Sequence, residues 1–285
     1  MASRTPGPFV QGGAPAARTG GTYVRRGLVI AYLFFLVAWP VALVVQHTFA
    51  GGLTNLQTAL SDPIVTHALR LTVYVAVWAV AINTVFGVGI SLLLVRYTFP
   101  GRRVLSALID LPLSVSPVVV GLALLLAYGS TNGFFGPVLR GAGLQIIFAT
   151  PGIIMATAFV SLPLVIREIV PVLQEIGTEQ EQAARSLGAG PWQSFWRITL
   201  PSIRWALAYG VVLSLARALG EFGAVKIVSG NLIDQTQTAT LVVEQKYQDF
   251  EQGSAYATSF LLALIAVAAL VVVTIIRPRE SPDGN

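Results

Sequence analysis

Residues 178–201 read TEQEQAARSLGAGPWQSFWRITLP. This is the longest polar interruption in the C-terminal half of a very apolar chain, and a membrane-length hydrophobic run lies on each side of it. Thr178, with Glu181 three residues on, has the form of a capping box, in which side chains satisfy the free N–H groups of a first helical turn. Ala183, Ala184 and Leu187 give the helix that follows one apolar face, and Gly188 predicts its stop. Gly190-Pro191 restarts the chain as a second helix with proline at its first position. Trp192, Phe195, Trp196 and Thr199 share a face at helical spacing, and Pro201 is expected to end the element. The stretch reads as a short helix, a glycine turn and an aromatic-faced helix, presented to the aqueous phase between two spans.

Composition agrees with that setting. Of 285 residues, 54% are hydrophobic and 11% charged, where a soluble domain carries about 25% charged. The apolar runs are long and do not alternate, so the fold class is an all-α membrane protein. With no cysteine, disulfides, thiol chemistry and cysteine metal sites are excluded. His47 and His67 lack a partner at metal-binding spacing, so no metal site is expected. The net charge of +5 comes from cations at membrane edges and does not point to nucleic acid. No G-x4-G-K-[ST] occurs, so any ATP that drives this protein is bound by another chain.

Working outward, six spans are expected, at about 27–49, 68–95, 104–128, 148–173, 202–228 and 255–276. Residues 1–22 read as a disordered cytosolic tail, and 23–63 as an uncleaved first helix, kinked at Pro40, with a polar outer loop. Residues 129–147 and the polar segment after 228 lie outside, and 277–285 form a second cytosolic tail. The fourth span is expected to end at Arg167 and Glu168. In the third, Pro112, Ser114, Ser116 and Pro117 predict a bent or broken helix, tolerated only beside protein or a cavity. Thirteen of the eighteen Lys and Arg residues fall in the tails, inner loops or inner helix ends of this scheme. Both termini, and the stretch 178–201, are then cytoplasmic.

The stretch resembles the EAA loop of ABC-importer permeases, E-A-A-x3-G-x9-I-x-L-P. Ala183, Ala184, Gly188, Ile198, Leu200 and Pro201 fit it without gaps, and Gln182 stands where the pattern has glutamate. Glu181, next door, is a possible substitute, with its capping role in competition. The resemblance implies the six-helix type I (MetI-like) permease fold over residues 64–276. It also implies that 178–201 are coupling helices docking on a cytosolic ATPase. Alanines and glycine permit the close approach, and aromatics anchor interfaces. The plainer reading is an amphipathic helix lying on the bilayer. The polar face, Glu179 to Gln182, lacks the Lys and Arg usual for that.

Arg217 and Glu221 fall at i, i+4 in the fifth span, roughly 20 Å from its inner end at 1.5 Å per residue. Such charges face a bundle interior or a water path. They read either as an anion pathway, with Glu221 holding Arg217, or as a structural pair. The strings ARALGEFGAVKIVSGN and LIDLPLSVSPVVVG resemble the sulfate and molybdate permeases of that family. Ser229-Gly230-Asn231 with Gln235–Thr238 is most similar to the CysW-type subunit of sulfate/thiosulfate importers, with Asn231 and Asp234 as departures. Ser114 and Ser116 either donate to an oxyanion or bond back to their own helix. Asp110 reads as a helix partner rather than a gate. Gln235–Thr240 reads equally as an outer gate, a docking surface or a solvated loop.

The expected function is therefore the permease subunit of an ATP-driven sulfate/thiosulfate importer in the inner membrane of a prokaryote. The resemblance implies a second, CysT-type permease chain, two ATP-binding subunits carrying ATP and Mg, an extracytoplasmic sulfate-binding protein and surrounding lipid. The chain itself does no bond chemistry and holds no cofactor. Alternatives are a molybdate/tungstate permease, a carrier working without an ATPase, and an intramembrane serine protease. The last lacks G-x-S-x-G and a well-placed histidine.

Overall fold

The computed structural model describes residues 20–131 and 133–276, with side chains over 25–131 and 133–271. The expected tails at 1–22 and 277–285 lie almost wholly outside that range; helix α1 begins at Gly20. The chain divides into two compact units, Met1–Gln46 and His47–Asn285. The elements in order are α1 (Gly20–Leu33), a π-helical turn at Phe34–Ala38, α2 (Trp39–Phe49), α3 (Thr54–Ser61), α4 (Pro63–Arg96), α5 (Arg102–Ser114), α6 (Pro117–Tyr128) and α7 (Gly136–Gly141). Then come α8 (Thr150–Ile176), α9 (Glu179–Ser186), α10 (Pro191–Ser194), a second π turn at Phe195–Thr199, α11 (Leu200–Leu219), α12 (Gly223–Val228), α13 (Ala239–Gln248) and α14 (Gln252–Ile276). Among the described residues, five helices are long and apolar enough to cross a membrane, or six if the bent pair α5–α6 counts as one.

Both π turns have the same cause. Trp39 N–H bonds to the Phe34 carbonyl, and Leu200 N–H to the Phe195 carbonyl. A proline, Pro40 or Pro201, follows directly in each case. Proline has no N–H, and its ring crowds the carbonyl four residues back. One widened turn relieves the crowding and lets the helix continue. Pro201 therefore does not end the aromatic-faced helix, as the sequence suggested. The helix runs unbroken over Pro191–Leu219 and joins the second half of the stretch 178–201 to the fifth span as one rod.

The third span is broken rather than curved. Helices α5 and α6 meet at 117° across Val115 and Ser116, both with extended ψ, as expected ahead of Pro117. The fifth span also breaks, at Gly220–Phe222, which leaves Glu221 outside regular helix. The fourth runs on to Ile176, so Arg167 and Glu168 lie inside it rather than at its end. The second begins at Pro63, five residues earlier than expected, because the Asp62 carboxylate accepts the Ile64 N–H as an N-cap. The preceding loop contains α3.

Three helices, α4, α8 and α11, form the central packing. Val165 on α8 is fully buried between two glycines. A Cβ on Gly87 would lie 2.7 Å from its Cγ1, and one on Gly210 would lie 3.0 Å from its Cα. Beside this contact, buried Asn83 donates to Ser161 Oγ at 2.8 Å and to Ser214 Oγ at 3.3 Å. Small residues and short polar bridges replace the hydrophobic driving force that lipid does not supply. A second core joins α6, α8, α12 and α13 through Val120, Ile153, Val228 and Leu241.

The segment after α12 is solvated only in its first half: residues 230–235 are exposed. Thr236, Gln237, Thr238 and Ala239 are buried. Thr236 Oγ donates to the Ser229 carbonyl at 2.6 Å, Ala239 N–H to Thr72 Oγ at 2.9 Å, and Thr240 Oγ to the Glu221 carbonyl at 2.9 Å. The Thr236 and Thr240 hydroxyls, polar groups that made the segment look solvated, bond to backbone carbonyls instead.

Candidate functional site

The stretch 178–201 is built by local rules. Helix α9 ends at Ser186 with Leu187 as its C-cap, and Gly188 follows at φ 88°. Gly188 N–H bonds to the Arg185 carbonyl at 2.9 Å and Ala189 N–H to the Ala184 carbonyl at 3.0 Å, the paired bonds of a Schellman cap. That turn pushes Leu187 out, 90% exposed. Ala183 is also exposed and Ala184 half-buried, so the expected apolar face of α9 is available to a partner. Helix α10 opens at Pro191, as expected. The aromatic face divides: Trp192 and Trp196 are exposed, whereas Phe195 packs inward against the cluster of Val165, Ile169 and Ile203. Thr199 is buried. The three aromatic rings stay in contact, with centroids 5.5–6.0 Å apart.

Glu181 does something else than the sequence suggested. Thr178 makes no side-chain cap bond; its Oγ accepts from Gln182 Nε2 at 2.9 Å. Glu181 Oε1 receives Arg96 Nε at 3.2 Å and Nη2 at 3.1 Å, and Thr199 Oγ at 3.0 Å. Arg96 Nη1 also donates to the Leu173 carbonyl at 3.1 Å. Both charged side chains are 11% exposed. Glu181 is therefore neither a cap nor a surface substitute for exposed Gln182. Ile198 and Leu200 are half-buried and Pro201 is exposed.

The pathway candidates gather where the two chain breaks meet. A Cβ on Gly223 would lie 3.1 Å from Pro117 Cβ, and one on Gly121 would lie 2.9 Å from the Ala224 carbonyl oxygen. The N-terminal ends of α6 and α12 are thus in contact. Ser116 sits at the N-cap of α6, Ser114 ends α5, and both are exposed without a side-chain hydrogen bond. Glu221 is buried, 2.8 Å from Arg217 Nη1, and accepts the Ala224 N–H at 3.0 Å. Arg217 is 38% exposed. Asn231 lies apart, at the other end of α12, exposed in a left-handed turn of φ 52°. Asp110 pairs with Arg167 at 2.9 Å and so ties α5 to α8. Beside the fifth-span break, Leu219, Phe222, Thr240, Leu262 and neighbours line an open apolar groove of about 460 Å³.

Sequence reasoning did not connect Arg96 with Glu181, since a lone arginine ending a span reads only as a membrane-edge charge. Its carboxylate partner is 85 residues away, and no local signal connects them.

The chain thus has broken spans over a close-packed three-helix centre and a capped helical elbow. The chain belongs to the family described as "Binding-protein-dependent transport system inner membrane component", whose profile matches residues 83–281. It is thus a multi-pass inner-membrane permease subunit and not itself an enzyme. It is 45% identical over 259 residues to the sulfate transport system permease protein CysW of Synechococcus elongatus, covering 91% of this chain and 90% of that one. The CysW protein of Escherichia coli K12 is 44% identical, covering 91% and 89% of the two chains. The CysT permease of the same organism is 35% identical, covering 93% and 94%. Among solved structures, a bacterial ABC transporter that imports the acidic polysaccharide alginate shares the fold, with TM-score 0.76, 16% identity and coverage of 89% and 93%.

Proposed function

We propose that this chain is the CysW-type permease subunit of an ATP-driven importer of sulfate, with thiosulfate as a second cargo of the same shape and charge. The observation that carries the reading is the exposed elbow of Ala183, Leu187, Gly188, Trp192 and Trp196, on a chain whose relatives are named sulfate permeases. A small-residue turn with a projecting leucine and two tryptophans suits insertion into a groove of a cytosolic ATPase. The full assembly then has a CysT-type permease chain, two ATPase subunits supplying ATP and Mg, and an extracytoplasmic sulfate-binding protein. Both termini of this chain face the cytoplasm. Closure of the ATPase pair draws the coupling helices together, and the spans rock to open the anion path to each side in turn.

Within this chain the anion path runs past the contact of the two breaks. Arg217 supplies charge, and Ser114, Ser116 and the free N–H groups at the start of α6 supply donors. Asn231 lies further out along the same route. Two adjacent breaks with unbonded serines favour this over the purely structural reading, because lipid does not tolerate open backbone away from protein or water.

The test is uptake of labelled sulfate and labelled molybdate in cells with and without this chain. Loss of sulfate uptake alone is expected. Loss of molybdate uptake alone would move the cargo to the molybdate/tungstate class, which the names of the relatives do not favour. Uptake independent of any ATPase would overturn the importer reading.

A further inference from the structure

We infer that Arg96 and Glu181 are positioning residues for energy coupling: their buried pair carries displacement of α9 into the spanning helices α4 and α8. The inference rests on the importer reading and adds the route by which the elbow moves the bundle. Helix α9 has little grip of its own. Glu181 is its one buried residue, and its apolar positions are alanines and the exposed Leu187. The chain enters α9 through Gly177 at φ 68° and leaves it through Gly188 at φ 88°. Glycine in the left-handed region has no side chain to resist rotation, so neither end of α9 is a stiff lever.

Glu181 is held from two elements, and its arginine partner is held from a third. Arg96, the last residue of α4, reaches it with two nitrogens, and Thr199 reaches it from the π turn at the base of α11. The third Arg96 contact, at 3.1 Å to the Leu173 carbonyl, fastens the same guanidinium to the final turn of α8. A planar guanidinium with donors fixed in a fork transmits a direction, which a single flexible ammonium does not. At 11% exposure on both side chains, water does not replace these bonds when one is stretched, so the partners follow. Leu173 and Ile203 lie in one buried cluster with Val88 and Val165, so displacement at the clasp enters the packed centre of α4, α8 and α11. The rod Pro191–Leu219 offers one covalent path from the elbow, and the clasp adds the only polar path from α9 to α4 and α8 among the described residues.

The assembled transporter tests this, with Glu181→Gln and Arg96→Lys, both of which keep a polar group at the site. Three quantities are read: ATPase bound per permease chain, stimulation of ATP hydrolysis by sulfate-loaded binding protein, and sulfate uptake into proteoliposomes. The expected result is unchanged ATPase content, at least a fivefold loss of stimulation and of uptake in Glu181→Gln, and a smaller loss in Arg96→Lys. Unchanged stimulation and uptake in both would overturn the inference. So would ATPase loss in proportion to lost stimulation, since the pair would then serve only docking. Hydrogen exchange on the wild-type complex is independent of any variant's folding. Binding of a non-hydrolysable ATP analogue is expected to change exchange at 92–97 and 170–176. A change confined to 191–219 would overturn the clasp as a route. If the wild-type chain retains no ATPase at all, the importer reading itself falls, and the inference with it.

Discussion

Arg217 and Glu221 meet at the point where the fifth span ceases to be a helix. Arg217 Nη1 is 2.8 Å from Glu221 Oε2, while the other carboxylate oxygen accepts the Ala224 N–H at 3.0 Å. One carboxylate therefore fastens the end of α11 to the start of α12. It is 2% exposed as a side chain and its arginine 38%, so the acid is buried and the arginine keeps an accessible surface.

That asymmetry gives different outcomes for the two residues. Glu221→Ala removes the Ala224 bond and leaves an arginine that is already 38% exposed, so it is expected to cost about 1–2 kcal/mol. Arg217→Gln leaves a buried carboxylate without its counter-charge and is expected to cost more, about 3 kcal/mol, seen as loss of folded protein in detergent, while abolishing sulfate uptake by the protein that still folds. Thermal unfolding and uptake measured on the same membranes check both. Arg217→Gln with normal uptake would remove Arg217 from the anion path.

Gly188 separates folding from docking. No atom lies within 4 Å of a Cβ built there, and φ is +88°. Gly188→Ala should therefore cost only the left-handed strain, about 1–2 kcal/mol, without a clash. Gly188→Trp meets open space in this chain and is expected to leave it folded but unable to hold an ATPase. Co-purification of the ATPase with each variant reads the difference.

Gly210 and Asn83 test the central packing. A Cβ on Gly210 lies 3.0 Å from Val165 Cα, which is backbone and cannot rotate away. Gly210→Val is expected to cost about 1–3 kcal/mol by overpacking. Asn83→Leu deletes both serine bonds, at about 0.6 kcal/mol each by membrane precedent, and so should be the milder change. Denaturation in mixed micelles ranks them.

At the N-terminal end of α4, Lys246 Nζ lies 2.9 Å from Asp62 and 2.7 Å from Glu251. Burial works to raise the Asp62 pKa, but Lys246 and the Ile64 N–H outweigh it and hold the carboxyl below its ordinary 3.8. Burial likewise works to lower Lys246, but Glu251 and Asp62 hold it above its ordinary 10.5. A lowered carboxylate contributes stability above its unfolded pKa and loses it as pH falls through the folded one; a raised lysine contributes below its unfolded pKa and loses it as pH rises through the folded one. The clasp should therefore be insensitive to pH between about 5 and 9. Lys246→Met should make the α4 N-terminus open at a higher pH on acidification, read by hydrogen exchange at residues 62–68.

The sequence by itself determined what local chemistry controls. Apolar length placed the spans, Gly188 and Gly190-Pro191 placed the elbow, and Pro112 to Pro117 placed the break in the third span. These are properties of one turn or one run of residues, and the structure keeps them. Pro201 misled because its cost to a helix can be absorbed by one wider turn, a choice that depends on what holds the helix on either side. Tertiary structure alone decided the rest. Glu181 turned inward because Arg96, 85 residues earlier, and Thr199, 18 later, converge on it. Ser116 reached the Glu221 region because two glycines let α6 and α12 touch. Thr236–Ala239 became interior because Ser229, Glu221 and Thr72 supply hydrogen-bond partners to this stretch and to Thr240 beside it. A charge or hydroxyl carries no mark of its partner in its own neighbourhood, and only the packing of distant helices supplies one.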